Sequence, residues 1–266
     1  MKLYMSLASP FVRKVRLMVR EAGLSARVEE VPTVVSPIEP NAALGRDNPL
    51  AKLPTLVTDE GFALFDSPVI CEYLDSLNTG LPLFPREGTA RWRALRLQAA
   101  ADGILDAAIL VRYQQVLCPS ERRWPAWIDG QSVKWRQGLD FLEAEAATGA
   151  LDGGPTIGSL AAAATLGWLD FRYPGEDWRG GRPHLTRWFA GVQPAPVDDR
   201  YRATCLSGGN PEPTGRAVGC AHGRHLLQVA VPPAPTARPP DARTATHGPV
   251  GATGAGADAT AVIRYA

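Results

Sequence analysis

Two Ser-Pro pairs and one Leu-Pro pair are the residues of this chain best suited to chemistry. Ser9-Pro10 and Ser67-Pro68 each stand where a segment of helical spacing begins. Serine is a favoured N-cap, and proline fits the first helical position because its missing N–H is not needed there. A helix start carries unpaired N–H groups and the positive end of the helix dipole, so a hydroxyl placed there can help to hold an anion. When spacing is the only guide, capping alone is the simpler account of either serine. Asp66 precedes Ser67, and an acidic residue is favourable near a helix N-terminus for the same electrostatic reason. Leu53-Pro54 leads into the apolar run Thr55-Leu56-Val57. Cis peptide bonds are essentially confined to X–Pro, although a trans proline opening a strand fits these residues equally.

The elements that must position these groups follow from the first eighty residues. Lys2-Leu3-Tyr4-Met5 reads as a strand, and Ser9-Pro10 opens a helix that runs to about Ala22 and is closed by Gly23. Phe11, Val15, Met18 and Val19 share one face, with Arg13, Lys14, Arg16 and Arg20 mostly elsewhere. Residues 27–31 form a second strand, and residues 33–47, with two prolines and a glycine, form a loop. Residues 55–57 and 62–65 make a hairpin around Asp59-Glu60-Gly61, followed by a helix capped by Ser67 and running to about Leu77. The order βαβ–ββα implies a small three-layer α/β domain with a mixed sheet.

With S-P-F-V-R-K-V-R at 9–16, N-P-L-A-K-L-P-T-L-V at 48–57 and D-S-P-V-I-C-E-Y-L-D at 66–75, this half resembles the thioredoxin-like domain of cytosolic glutathione S-transferases. The likeness is closest to bacterial members with a serine-type S-P-F-V-R-K segment. The resemblance implies that Ser9 is the catalytic hydroxyl that favours the glutathione thiolate, with Ser6 as runner-up and Tyr4 less suited because it lies in a strand. A free thiol has a pKa of about 8.5, so such help is needed at neutral pH. The resemblance further implies a cis Leu53-Pro54 bond, with the Leu53 N–H and C=O turned toward the cysteinyl backbone of glutathione. It assigns the γ-glutamyl carboxylate to Ser67 and the γ-glutamyl ammonium to Asp66. Lys52 is a candidate for the glycine carboxylate, though an exposed strand lysine explains it as well. Ala51 stands where other classes carry a polar or basic residue.

Residues 81–87 read as a proline-rich linker, and the rest to residue 192 as an all-helical domain. One helix is expected over 89–117, with Trp92, Leu95, Ala99, Leu105, Ala108 and Val111 or Arg112 on its buried stripe, and another over 121–147, weakened by Gly130 and Gly138 at about 1 kcal/mol each. A third is expected over 156–172 and a fourth from Pro183. The third resembles the family's central helix, usually opened by Ser/Thr-x-x-Asp; here Ser159 takes the Asp position, which predicts a weakened capping box. The resemblance places an electrophile pocket in this half, with Leu7, Leu105, Ile109, Tyr113 and Trp168 as candidates against plain core packing. Arg91, Arg93 and Arg96 fit either a dimer cleft or a solvated face.

Composition changes abruptly near Gln193. Residues 193–266 hold ten of the 24 prolines and none of the seven Trp or seven Phe. Such a low-complexity segment cannot offset its chain entropy by burial, which predicts a disordered tail. The change is what out-of-frame translation of a GC-rich gene would produce. Only Leu226 to Val231 could form a strand, and Cys205, Cys220, His222 and His225 have the wrong spacing for a zinc finger.

A net charge of +1 gives no footprint for nucleic acid or an acidic membrane surface. Four scattered cysteines suggest no disulfide framework, and Cys71 and Cys118 read as small buried hydrophobes. The N-terminus is not a signal peptide and no run is long enough to span a bilayer, so a cytoplasmic location is expected. The resemblance implies a homodimeric transferase that joins glutathione to small hydrophobic electrophiles, with glutathione as co-substrate and no metal or redox cofactor. The alternatives are a non-enzymatic relative that binds proteins and an inactive, damaged transferase. A glutaredoxin-type reductase would need a cysteine at position 9.

Overall fold

The computed structural model describes residues 1–192. The tail, including the cysteine–histidine set and the 226–231 segment, lies outside the described residues. Strands β1 (Lys2–Met5), β2 (Glu29–Pro32), β3 (Thr55–Val57) and β4 (Ala63–Leu64) form one sheet in the order β2-β1-β3-β4. β1 runs parallel to β2 and antiparallel to β3, and β3 pairs antiparallel with β4. The βαβ crossover through α1 (Pro10–Glu21) therefore supplies the parallel pair and the tight 59–61 turn the antiparallel one. Helix α2 (Ser67–Ser76) packs beside α1, and Leu3, Val12, Val15, Met18, Leu56, Ile70 and Leu74 make the core of this thioredoxin-like half.

The helical half consists of α3 (Gly88–Val116), α4 (Pro125–Ala147), α5 (Ile157–Arg172) and α6 (Pro183–Val192). Helix α5 lies between α1 and α3, and is buried over most of its length. Among the described residues no helix is long and apolar enough to cross a membrane. Two expectations on helix faces need correction. Trp92 is 68% exposed and Ala99 is exposed, while Ala94, Leu97, Gln98 and Ala101 are buried. The reason is that α3 is packed by α4 on one side and α5 on another, so no single stripe marks its interior. Lys14, placed off the buried face of α1, is only 1% exposed. Its ammonium meets the Asp102 carboxylate of α3 at 2.6 Å.

The capping box of α5 is also complete rather than weakened. The Thr156 N–H donates to the Ser159 hydroxyl at 2.8 Å, and the Ser159 N–H donates to the Thr156 hydroxyl at 3.3 Å. A serine hydroxyl accepts as a carboxylate would, so the reciprocal pair survives the change of residue type.

Glycines set the spacing between helices. A Cβ on Gly138 would collide with the Ile104 side chain of α3, so the cost of that glycine within α4 is set against close packing. On Gly158 a Cβ would stand 2.8 Å from the Ala94 carbonyl oxygen and 2.7 Å from the Leu97 Cβ. Gly158→Ala is therefore expected to lower stability by about 1–3 kcal/mol through overpacking, against the gain in helix propensity. Urea denaturation checks this, and an equal or higher midpoint in the variant would contradict it.

Candidate functional site

Ser9 is the N-cap of α1, as its Ser-Pro sequence predicts, and its hydroxyl accepts from the Val12 N–H at 3.3 Å. A hydroxyl has one O–H donor besides its acceptor lone pairs, so this cap leaves the Ser9 proton available for an outside acceptor. Ser6 accepts in the same way, and its hydroxyl proton is likewise available. Its carbonyl accepts from the Ser9 N–H at 3.0 Å and its hydroxyl from the Ala8 N–H at 3.4 Å, which folds the loop before α1. Tyr4 is committed: the Asp47 carboxylate at its hydroxyl, with burial added, raises the phenol above its ordinary value. Cys71 is fully buried in α2, and burial pushes its thiol up to about 12, far from a reactive thiolate.

The Leu53-Pro54 bond is cis. Asn48, 1% exposed, holds the segment before it. Its amide donates to the Lys52 carbonyl at 3.1 Å and to the Thr55 hydroxyl at 2.9 Å, and its side-chain oxygen accepts from the Leu50 N–H at 3.0 Å. The Thr55 hydroxyl in turn donates to the Lys52 carbonyl at 2.9 Å. Among the described residues the Leu53 N–H and C=O take no partner. Asn48 was missed from the sequence because Asn-Pro reads simply as a turn. Lys52 itself is exposed, and Ala51 has φ +49°, a backbone setting unusual for a residue with a Cβ.

Helix α2 is capped by Asp66, not by Ser67 as the Ser-Pro pattern suggested. The Asp66 carboxylate accepts from the Ser67 N–H, and its carbonyl from the Ile70 N–H at 3.0 Å. Two adjacent cap formers made the register ambiguous, and the carboxylate won it. The Phe65-Asp66 bond is also cis. The correction changes the chemistry of Ser67: its hydroxyl is buried and has no hydrogen-bond partner among the described residues. A buried polar atom without a partner is costly and calls for an explanation.

Charges converge where α2 begins opposite α3. Burial pushes the Asp102 carboxyl up and outweighs the Lys14 ammonium beside it, with Asp66 and Asp106 adding to the rise. Enclosure also raises Asp106, one turn further along α3; Asp66 adds to this, and Lys52 and Lys14 oppose it. Asp66, Asp102 and Asp106 thus share one neighbourhood with Lys14 and Lys52, which suits a ligand carrying both ammonium and carboxylate groups.

The remaining pocket candidates divide. Leu7 is half-buried against the core of the first domain, and Ile109 against that of the second. Tyr113 is 39% exposed, and partial burial raises its phenol. Leu105, at 1% exposed, is ordinary core and offers a ligand no surface. Trp168 bridges the two halves: its indole N–H donates to the Ala8 carbonyl, next to Ser9, at 3.2 Å. Arg91 and Arg96 are occupied by Glu72 and Glu145 at 2.8 and 2.5 Å.

Comparison with known proteins agrees with this geometry. The family described as "Glutathione S-transferase, N-terminal domain" matches residues 8–77, and "Glutathione S-transferase, C-terminal domain" matches residues 125–191. The chain is 34% identical over 189 residues to the "Uncharacterized GST-like protein YibF" of Escherichia coli (strain K12), covering 70% of this chain and 91% of that protein. A glutathione transferase family member from Pseudomonas fluorescens Pf-5, solved with bound glutathione, superimposes with a TM-score of 0.71 at 43% identity, over 79% of this chain and 99% of its own. A glutathione S-transferase from Methylobacillus flagellatus KT, also with glutathione bound, gives 0.67 at 30% identity, over 76% and 98%.

Proposed function

The chain belongs to the glutathione S-transferase family, and from that premise we propose that it binds glutathione on the thioredoxin-like half and transfers its sulfur to small hydrophobic electrophiles. The observation that carries this is the buried, unpartnered Ser67 hydroxyl at the start of α2. The γ-glutamyl carboxylate would satisfy it, favoured by the positive end of the α2 dipole. Asp66 would take the γ-glutamyl ammonium. The free Leu53 N–H and C=O would pair with the cysteinyl backbone as a short strand does. At the glycyl end the exposed Lys52 is the candidate cation.

Ser9 would then face the sulfur. Its O–H donates to the thiolate while its oxygen keeps the Val12 N–H, and the α1 N-terminus adds positive potential. The thiol proton passes to solvent, the sulfur attacks an electrophilic carbon, and a carbon–sulfur bond forms. With a chloroarene the carbon–chlorine bond breaks and chloride leaves with the electron pair. No metal or redox partner enters this step. A protein-binding relative without catalysis is the second reading, and it predicts the same ligand contacts with no role for the Ser9 hydroxyl.

Ser67→Ala tests the binding half. Calorimetric titration is expected to show glutathione affinity falling about 10–100-fold, the range for losing a hydrogen bond to a charged group. The melting temperature is expected to hold or rise, because the hydroxyl makes no bond within the protein. Unchanged affinity in the variant would remove Ser67 from the site.

The homodimer is part of the same proposal. Val69 on α2 and Trp92 on α3 are 47% and 68% exposed, next to the Glu72–Arg91 pair that ties the two helices. Large exposed apolar side chains grouped in this way mark an association surface. Sedimentation of the wild type and of Trp92→Glu would show a dimer lost in the variant; a monomeric wild type would contradict it.

A further inference from the structure

Building on the transferase function proposed above, we propose that Arg112 gives the electrophile subsite a preference for substrates bearing a carboxylate at the end remote from the reacting carbon. A run of contacts leads from the residue beside Ser9 to the turn of α3 that precedes this arginine. Ala8, beside Ser9, accepts from the Trp168 indole. The Trp168 ring meets the Tyr173 ring edge-on, with centroids 6.0 Å apart. The Tyr173 hydroxyl donates to the Ala108 carbonyl of α3 at 2.6 Å. Arg112 stands one turn beyond Ala108, with Ile109 three positions before it on the same side of α3. Its charge reaches both phenols: burial pushes Tyr113 up and Tyr173 up to about 12, and Arg112 works against each.

What sets Arg112 apart is its lack of a counter-charge. It is partly buried, and among the described residues it has no hydrogen bond, ion pair or ring contact. Other partly buried arginines are engaged: Arg16 with Glu30, Arg91 with Glu72 and Arg182 with Asp140. Arg13 and Arg172 have partners too. The carboxylate acting on Tyr173, Glu176, is held by Arg136 at 2.7 Å and is not free to serve Arg112. A guanidinium partly removed from water without a partner is unfavourable, and a ligand carboxylate would repair this through two parallel charge-assisted hydrogen bonds. Leu7, two residues before Ser9, and Ile109, one turn before Arg112, are half-buried apolar side chains that suit the body of such a ligand. The substrates implied are hydrophobic acids such as halogenated aromatic carboxylates.

Two glutathione conjugates that differ only at the remote end provide the test: S-(4-carboxybenzyl)glutathione and S-(4-carbamoylbenzyl)glutathione. Calorimetric titration of the wild-type chain is expected to show the acid binding about tenfold more tightly than the amide. Arg112→Gln should abolish the difference, and Arg112→Lys should keep part of it, because a lysine retains the charge without the fork. Glutathione titrated into each variant reports whether the tripeptide site is intact. Equal binding of acid and amide by the wild type, or a preference that survives Arg112→Gln, would overturn the proposal and leave the glutathione site standing. A folded wild type that binds neither conjugate nor glutathione would overturn the transferase function, and this proposal with it.

Discussion

Ser9→Ala is expected to lower kcat/KM for conjugation of glutathione to a chloronitrobenzene by about 100-fold at neutral pH, the scale for removing one donor from a developing or resident anion. The variant also loses the N-cap of α1, which costs about 1 kcal/mol of stability. The two effects separate in Ser9→Gly, since glycine caps a helix nearly as well and costs only a few tenths of a kcal/mol. If the hydroxyl acts on the sulfur, both variants lose activity alike although only the alanine is clearly less stable. If Ser9 only caps α1, activity follows stability and the glycine variant stays near wild type. The rate of the variants should also recover at alkaline pH, where free thiol ionises without help.

The second large effect concerns the pair that locks the two halves together. Lys14 is 1% and Asp102 17% exposed, and their charged atoms meet at 2.6 Å across the α1–α3 contact. Lys14→Met leaves the Asp102 carboxylate without its cation, and breaking a buried pair in this way costs about 3–5 kcal/mol, here toward the lower figure because Asp102 is not fully enclosed. Denaturant unfolding should show it. The double change Lys14→Met/Asp102→Leu should regain most of the loss, because replacing a buried pair with apolar groups is often neutral. Losses that simply add would mean the two groups are not coupled. The pH dependence has a definite sign. The folded Asp102 carboxyl lies above its ordinary value, so the folded chain holds that proton more readily than the unfolded chain. The resulting stabilisation is full below the unfolded carboxylate range and is lost as pH rises through the folded value. Asp102→Asn should abolish that component.

Local chemistry was legible in the sequence and long-range partnership was not. Ser9-Pro10 announced both a helix start and its capping hydroxyl, and Leu53-Pro54 marked the turn that proved cis. The first is decided by neighbours within four residues, whereas the cis isomer was implied by the family resemblance and not by the residues themselves. Ser67 was placed one position off, because Asp66 caps as well as serine does and spacing cannot choose between adjacent formers. That one-residue difference turned a cap into an unpartnered buried hydroxyl, which is a stronger pointer to a ligand. Lys14 was placed off the buried face of α1 because its partner lies 88 residues away. The stripe drawn on α3 held at Leu105 and Ala108 and failed at Trp92 and Ala99, because the helix is covered from two sides. Asn48 opened a motif and Arg112 stood at the end of a helical stripe, but neither signal pointed to its surroundings. Their roles come from what surrounds them, a carbonyl to be held in one case and a missing counter-charge in the other.

The central claim is that this chain holds glutathione with its sulfur ionised by Ser9. Titrating the ultraviolet absorbance of the bound thiolate against pH tests it most directly. The structure predicts a bound thiol that ionises well below the free value of about 8.5 in the wild type and returns toward it in Ser9→Ala. Bound glutathione that ionises at the free value in both proteins would contradict the account.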